Sequence, residues 1–407
     1  MTSAAAIIFV VTYTGVALGR IPGLMLDRTG IALTGAIAMI ISGVIPMEQA
    51  AESVDIPTIL LLYSLMIISA QLRLGGFYTW VVIKCTALLG YPKTFLFFLM
   101  VLSATLSAVL ANDIICLAFT PVLAATLLSS GVNPVPFLLG LAMASNIGSA
   151  ATIIGNPQNM LLGQTGHLDF SDFIAWCAPP SVLALLAAYF IIFRIYRSRL
   201  LAGKPADIKT VKITWPDFNA WQSFKGLAAA FILMILFFSP IAREYSAMGV
   251  AGILLCSRKM RSRNILELID WHLITLFGAL FVIIQAIECV NIPAAIIEFL
   301  SNYSIDPKNP FILTGISAAM SNIVSNVPAV ILLIEFLDKS DPVSWYILAL
   351  SSTFAGNLLI IGSIANLIVV EQAKNFGINI GFWEHARTGI PVALISLGIV
   401  CGWIYLF

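Results

Sequence analysis

One pattern of polar residues occurs twice in an otherwise apolar chain, and it restricts the fold more than any other feature. Residues 106–112 read Leu-Ser-Ala-Val-Leu-Ala-Asn, and residues 316–322 read Ile-Ser-Ala-Ala-Met-Ser-Asn. Residues 153–161 read Ile-Ile-Gly-Asn-Pro-Gln-Asn-Met-Leu, and residues 360–368 read Ile-Ile-Gly-Ser-Ile-Ala-Asn-Leu-Ile. The spacing is nearly constant: Asn112 and Asn322 lie 210 residues apart, Gly155 and Gly362 lie 207 apart. A weaker echo pairs Asp55 with Asp270, each followed by an apolar segment. The chain therefore reads as two halves of similar plan. Each half carries two Gly/Asn-bearing interruptions in apolar sequence.

The surroundings of these interruptions are lipid. Hydrophobic residues make up 60% of the 407 and charged residues only 10%, with a mean hydropathy of +0.99. A soluble domain is about a quarter charged, so this is an all-α polytopic membrane protein. A bilayer core of ~30 Å needs ~20 apolar residues per helix, fewer where the helix is broken or re-entrant. Apolar segments fall near 4–20, 31–46, 56–72, 94–111, 114–129, 135–163 and 173–195. In the second half they fall near 223–242, 246–257, 271–289, 309–321, 327–337, 343–372 and 389–407. Residues 76–90 and 290–300 read as interfacial helices. The first apolar run, Ala4 to Leu18, lacks a basic leader and reads as a retained helix rather than a signal peptide.

Charge sets the sides. The polar stretch Arg194 to Trp221 holds Arg194, Arg197, Arg199, Lys204, Lys209 and Lys212 against Asp207 and Asp217. It reads as a cytoplasmic linker, as does the cluster Arg258, Lys259, Arg261 and Arg263. The loops bearing Glu48, Glu52 and Asp55, and Asp169 with Asp172, have no basic residue and fit the outside. One arrangement satisfies all of these. Residues 94–129 form a hairpin entering from the cytoplasm, and 309–337 form one entering from outside. Each half then crosses five times, so the second is inverted relative to the first. The halves span 1–197 and 222–407, joined by 198–221, with broken helices at 135–163 and 343–372. Only Arg243, Lys308 and Lys339 then lie outside, and both termini are outside.

Non-helical backbone inside a membrane must be shielded by protein or face a water-filled cavity. Interrupted segments at matching places in two repeats point to the substrate site of a secondary transporter. The candidate binding groups are Asn112, Asp113 and Cys116 in the first hairpin, and Ser321, Asn322 and Asn326 in the second. Ser145, Asn146, Gly155, Asn156 and Asn159 come from the first broken helix. Asn357, Gly362, Ser363 and Asn366 come from the second. Asn and Ser supply neutral donors and acceptors, Gly permits positive φ, and helix N-termini present free N–H groups. The bland alternative is a set of kinks that let helices pack closely.

Asp113 is the acidic residue at a first-half break. An ionised carboxylate in the membrane is costly, which suits it to carry a proton. The alternative is a cap for a helix beginning at Ile114. Glu371, Glu288 and Glu335 rank lower, near interfaces or helix ends. Segments 105–128, 140–165, 312–337 and 350–373 contain no Lys or Arg, which favours a neutral solute, a cation or proton coupling, with H+ preferred to Na+. Cys116 lies where a thiophilic species such as trivalent arsenic could touch it, or it is a small buried apolar residue. The six cysteines show no pairing pattern and read as free thiols. His167, His272 and His385 are dispersed, so no metal centre is expected. No enzymatic motif is visible, no cofactor is expected, and basic residues without interleaved aromatics exclude nucleic acid.

Ala111-Asn112-Asp113 with Thr120-Pro121 resembles the first hairpin of the arsenite efflux permeases. So do Ser325 to Val330 and the stretch Ile361 to Leu367. Asn146-Ile147-Gly148 through Gly155 to Asn159 is similar to the wider ion transporter superfamily, which includes sodium/carboxylate and sulfate symporters, sodium/proton antiporters and silicic acid exporters. The resemblance implies a scaffold domain, a mobile transport domain with elevator-type movement, and a homodimer. It implies proton-coupled efflux of arsenite or antimonite from a bacterial or archaeal cell membrane, possible pairing with an arsenical-pump ATPase subunit, and, as the alternative, sodium- or proton-coupled carriage of a small anion such as sulfate or a dicarboxylate, or of silicic acid. The carboxylate symporters carry Ser-Asn-Thr at both tips, where this chain has Asp113 and Ile323 in the Thr places.

Overall fold

The computed structural model describes residues 2–21, 23–201, 217–295, 302, 305–337 and 341–407. Most of the expected linker, including Lys204, Asp207, Lys209 and Lys212, lies outside the described residues, as does part of 290–300. All regular structure among the described residues is helical. Among the described residues six helices are long and apolar enough to cross a membrane, and shorter apolar helices accompany them. This is a multi-pass membrane protein.

The helices begin where side chains can satisfy the free N–H groups of a first turn. Asp55 accepts from Thr58 N at 2.8 Å and starts Ile56–Leu74. Asp270 accepts from Leu273 N at 2.9 Å and starts Trp271–Cys289. The repeated aspartates are thus the same N-cap used twice. These two helices are the most enclosed of the long ones, with 67% and 61% of their best apolar window buried. The two longest, Phe170–Leu200 and Phe382–Leu406, are 33% and 28% buried and pack on each other. Their outward Phe190, Leu394 and Ile395 are exposed, which suits lipid rather than water.

Packing between the halves is reciprocal. Arg28–Ile41 of the first half lies against Trp271–Cys289 of the second, and Arg243–Leu255 of the second lies against Ile56–Leu74 of the first. Within each half the first hairpin arm packs on the first piece of the broken helix: Pro92–Leu110 on Val135–Ser149, and Pro310–Val324 on Pro342–Ala355. Buried serines join these pairs, Ser107 to Ser145 at 2.7 Å and Ser317 to Ser351. A methyl group at Gly148 would overlap the backbone of Ala104, so glycine is needed for that approach.

The hairpins reverse at one residue each. Ala111, φ 67° and ψ 137°, separates Pro92–Leu110 from Asn112–Ser129. Ser325, φ 76° and ψ 162°, separates Pro310–Val324 from Asn326–Ile334. The second reversal corrects the expected pairing of Asn112 with Asn322. Asn322 sits one turn before the reversal, inside the arm, and Asn326 stands directly after it as Asn112 does after Ala111. The local sequences around Asn112 and Asn322 look alike, but backbone geometry fixes the tip four residues later.

Both reversal residues hold a left-handed φ without being glycine, at a cost of about 1–3 kcal/mol each. Glycine would relieve that strain and lose about 0.5–1 kcal/mol of chain entropy. Ala111→Gly is therefore expected to raise the melting temperature of the purified protein, by a net gain of about 1 kcal/mol. Ala111→Val, whose branched Cβ tolerates this region least, is expected to lower it.

Candidate functional site

The four interruptions meet. The first broken helix stops at Ser149 and resumes at Pro157, with Asn156 as the N-cap of the second piece. The second stops at Ala355, passes a short 3-10 turn, Ile360–Gly362, and resumes at Ile364 with Ser363 in the cap position. Between the pieces, carbonyl and N–H groups lack helical partners. Asn159 supplies two donors, to Ser149 O at 3.3 Å and Thr152 O at 3.0 Å. Asn366 does the same in the other half, to Gly356 O at 2.8 Å and Leu359 O at 3.4 Å. Each asparagine reaches carbonyls ten and seven residues upstream, so the 207-residue spacing read in the sequence is a spacing of identical backbone repairs.

Asn146 ties the breaks together and is fully buried. Its Oδ1 accepts from Asn112 Nδ2 at 3.1 Å and from Ser363 Oγ at 2.9 Å. Its Nδ2 donates to Asn357 Oδ1 at 2.8 Å and to Asn366 Oδ1 at 3.3 Å. One side chain thus links the first hairpin, its own broken helix and the second broken helix. Asn112 N donates to Gly155 O at 3.0 Å, and Ser145 Oγ donates to Asn112 O at 3.1 Å. Asn326, with its amide oriented to suit its neighbours, donates to Ser352 O at 3.2 Å and Gly362 O at 2.6 Å. Each hairpin tip is therefore held by the glycine carbonyl that precedes the cap of its own broken helix. Asn156 Nδ2 donates to Ser149 Oγ at 3.0 Å and to Thr353 Oγ1 at 3.4 Å, and Asn357 Nδ2 donates to Met143 O at 3.4 Å.

A narrow cleft lies where the tips meet the caps. It is lined by Asn112, Asp113, Pro157, Gln158, Ser325, Asn326, Val327, Ser363 and Ile364. A second, wider cavity adjoins it, lined by Asp113, Ala111 and Pro157 together with Leu62, Ser69, Arg73, Leu117, Asp270 and neighbouring apolar residues. Asp113 and Pro157 line both. On another face, a wide recess of about 1250 Å³ is lined by Asp55, His167, Asp169, Arg243 and Glu244, among others. There Arg243 donates to Leu168 O at 2.8 Å and Gly163 O at 2.6 Å, at the end of the first broken helix.

Of the candidate residues, Asn112, Asp113, Asn326 and Ser363 face the small cavity. Ser145, Asn146, Gly155, Asn156, Asn159, Asn357, Gly362 and Asn366 form the network behind it. Cys116 is fully buried and lines neither adjoining cavity. Ser321 is buried with its hydroxyl unpartnered, and Asn322 donates to Ala318 O and Ala355 O at 2.9 Å each. Asp113 is half-buried in the first turn after Ala111, and its carboxylate makes no hydrogen bond among the described residues. It is therefore not the cap of the following helix. Glu371 is exposed. Arg73, Asp270 and Thr353 were not among the sequence candidates. Arg73 ends the helix Ile56–Leu74, far in sequence from either break, and nothing in its local pattern announces the cavity.

The repeated repair makes a paired prediction. Asn159→Asp and Asn366→Asp keep side-chain shape but replace an N–H donor by an oxygen facing two carbonyls. Leaving buried acceptors unmatched costs about 1–3 kcal/mol, more with a charge. Each substitution is expected to lower the melting temperature by a similar, large amount. A large effect at one position and none at the other would contradict their equivalence.

The chain is 29% identical to a 46 kDa membrane protein of Mycobacterium leprae, covering 98% of this chain and 97% of that one. It is 25% identical to the silicon efflux transporter LSI3 of Oryza sativa subsp. japonica, over 93% and 92% of the two chains. It is 23% identical to a Dictyostelium discoideum protein that carries the name arsB, over 97% and 90%. Residues 7–355 match the model of the citrate transporter family, CitMHS. The chain belongs to that family of secondary transporters and is not an enzyme.

Proposed function

We propose that this protein is a proton-coupled secondary transporter whose cargo binds where the two hairpin tips meet the two broken helices. The observation that carries the reading is the position of Asp113, which lines both the small tip cavity and the larger cavity beside it. A carboxylate there can exchange a proton with the larger space while facing cargo in the smaller. The residue standing one place after Asn326, as Asp113 does after Asn112, is Val327, so only the first tip carries the acid. The carbonyls of both breaks already accept N–H donors from Asn159 and Asn366, which leaves each with one lone pair for a sodium ion. That supports H+ over Na+ as the coupling ion.

The mobile unit is the pair of hairpins and broken helices, moving elevator-fashion against a scaffold formed by the remaining helices. Reciprocal packing between the halves, matched reversal residues and matched asparagine repairs support an inverted repeat of 1–197 and 222–407, with hairpins entering from opposite sides. The charge distribution supports both termini outside a cell membrane. The larger cavity, with Arg73 and Asp270, then opens toward the cytoplasm, and the recess with Asp55 and Arg243 toward the outside.

The cargo is a small anion. The family's description as a citrate transporter supports this, and Arg73 places a cation beside the path, which the sequence alone did not. Arsenite or antimonite as the neutral trihydroxide, exported against protons, is the second reading. The neutral amide and hydroxyl lining and the silicon efflux relative favour it, while the burial of Cys116 away from both cavities supports the reading of that residue as a small buried apolar group.

Asp113→Asn tests the coupling. It keeps hydrogen-bonding shape and removes the titrating group. In proteoliposomes, cargo flux driven by a pH gradient is expected to fall at least tenfold, while cargo binding persists. Flux close to that of the parent would exclude Asp113 as the proton carrier.

A further inference from the structure

The larger cavity holds one cation, Arg73, which makes no direct pair with the two carboxylates, Asp113 and Asp270, that line the same space. Arg73 is half-buried, lines the cavity, and its guanidinium makes no hydrogen bond or ion pair among the described residues. Most of the lining around it is apolar: Leu62, Leu65, Met66, Leu117, Leu273 and Ile368. Ser69 is engaged with Tyr78 at 2.6 Å. The carboxylate of Asp270 accepts from Leu273 N and caps its helix. A guanidinium that cannot be deprotonated and has five donors is costly to hold beside apolar surface without a partner. Arg forms the strongest charge-assisted pairs with planar oxyanions, often through two parallel hydrogen bonds.

We propose that Arg73 is a specificity-determining residue: it captures an oxyanion in the larger cavity before the anion passes Asp113 into the tip cavity, and so selects charged over neutral cargo. This deepens the transport reading and rests on it for the order of steps. Three features fit together. The cation is near the helix end, in the cavity beside the tip. The apolar walls strengthen its field by excluding water. Asp113, on the path between the two cavities, repels an anion when ionised and admits it when protonated, which ties anion movement to a proton.

Two measurements test this and fail separately. In the first, the purified protein is heated with millimolar citrate, succinate or sulfate. At least one anion is expected to raise the melting temperature of the parent, and the shift is expected to disappear in Arg73→Gln and largely return in Arg73→Lys. Arg73→Lys keeps the charge, so it also reports if the glutamine variant merely misfolds. No shift with any anion in the parent, or equal shifts in parent and Arg73→Gln, overturns the proposal whatever the transport result. In the second, flux of the same anions and of arsenite is measured in proteoliposomes. Loss of a charge-assisted bond is expected to raise the half-saturating anion concentration of Arg73→Gln roughly 10- to 100-fold with a smaller change in maximal rate. Arg263→Gln removes an exposed cation that pairs with Glu267 outside the cavity, and is expected to match the parent, which excludes a general effect of net charge. A parent that moves arsenite on a pH gradient but no anion overturns the role of Arg73 and leaves proton-coupled transport standing. A parent that moves nothing on a pH gradient, yet shows the Arg73-dependent shift, leaves the capture site standing and overturns the coupling.

Discussion

Backbone that leaves its helix inside a membrane has no water to repair it, and in this protein the repair is done by asparagine. Asn159 and Asn366 close the carbonyls within each broken helix, and Asn146 joins one break to the other. Unmatched, these groups would cost several kcal/mol each in a lipid-like interior. Matched with one another, they hold two hairpin tips and two helix caps around one narrow cleft. The packing around them follows. Close approach of Val135–Ser149 to Pro92–Leu110 needs Gly148, and the serine pairs join neighbouring helices without charge.

The neutrality of this network has a functional consequence. Amides and hydroxyls can donate to and accept from a solute without a fixed charge that would trap it. Titratable chemistry is kept at the edge. Asp113 stands at the junction of two cavities, with Arg73 and Asp270 along the outer one. The second tip has Val327 in the corresponding place, so the asparagine repairs recur in both halves and the carboxylate does not. Family membership fixes the class of activity as secondary transport; the position of Asp113 supplies the reading of how it is driven.

Much of this was legible in the sequence, and what was missed has identifiable causes. The spacing from Gly155 to Gly362 survived intact because both glycines sit immediately before a helix cap, where the backbone tolerates no insertion. The pairing of Asn112 with Asn322 did not survive. Their flanking residues are alike, but the chain reverses at Ser325, and a left-handed φ at a serine has no compositional marker. Asp113 has the residue type of a cap, yet the helix starts one residue earlier at Asn112, which leaves the carboxylate free to face the cavities. Arg73 was invisible because tertiary packing alone carries the end of Ile56–Leu74 to the hairpin tip.

The central claim is that the two halves build one site through the amide of Asn146. The measurement that tests it most directly is a double-mutant cycle on thermal stability between Asn146 and Asn357, whose amides meet at 2.8 Å across the halves. Asn146→Ala, Asn357→Ala and the double variant are compared with the parent. If the halves share one network, the two losses are not additive, and the coupling falls in the range of about 0.5–3 kcal/mol seen for residues in direct contact. Losses that add to within about 0.3–0.5 kcal/mol would mean that the two asparagines act independently, and the account of a single shared site would be wrong.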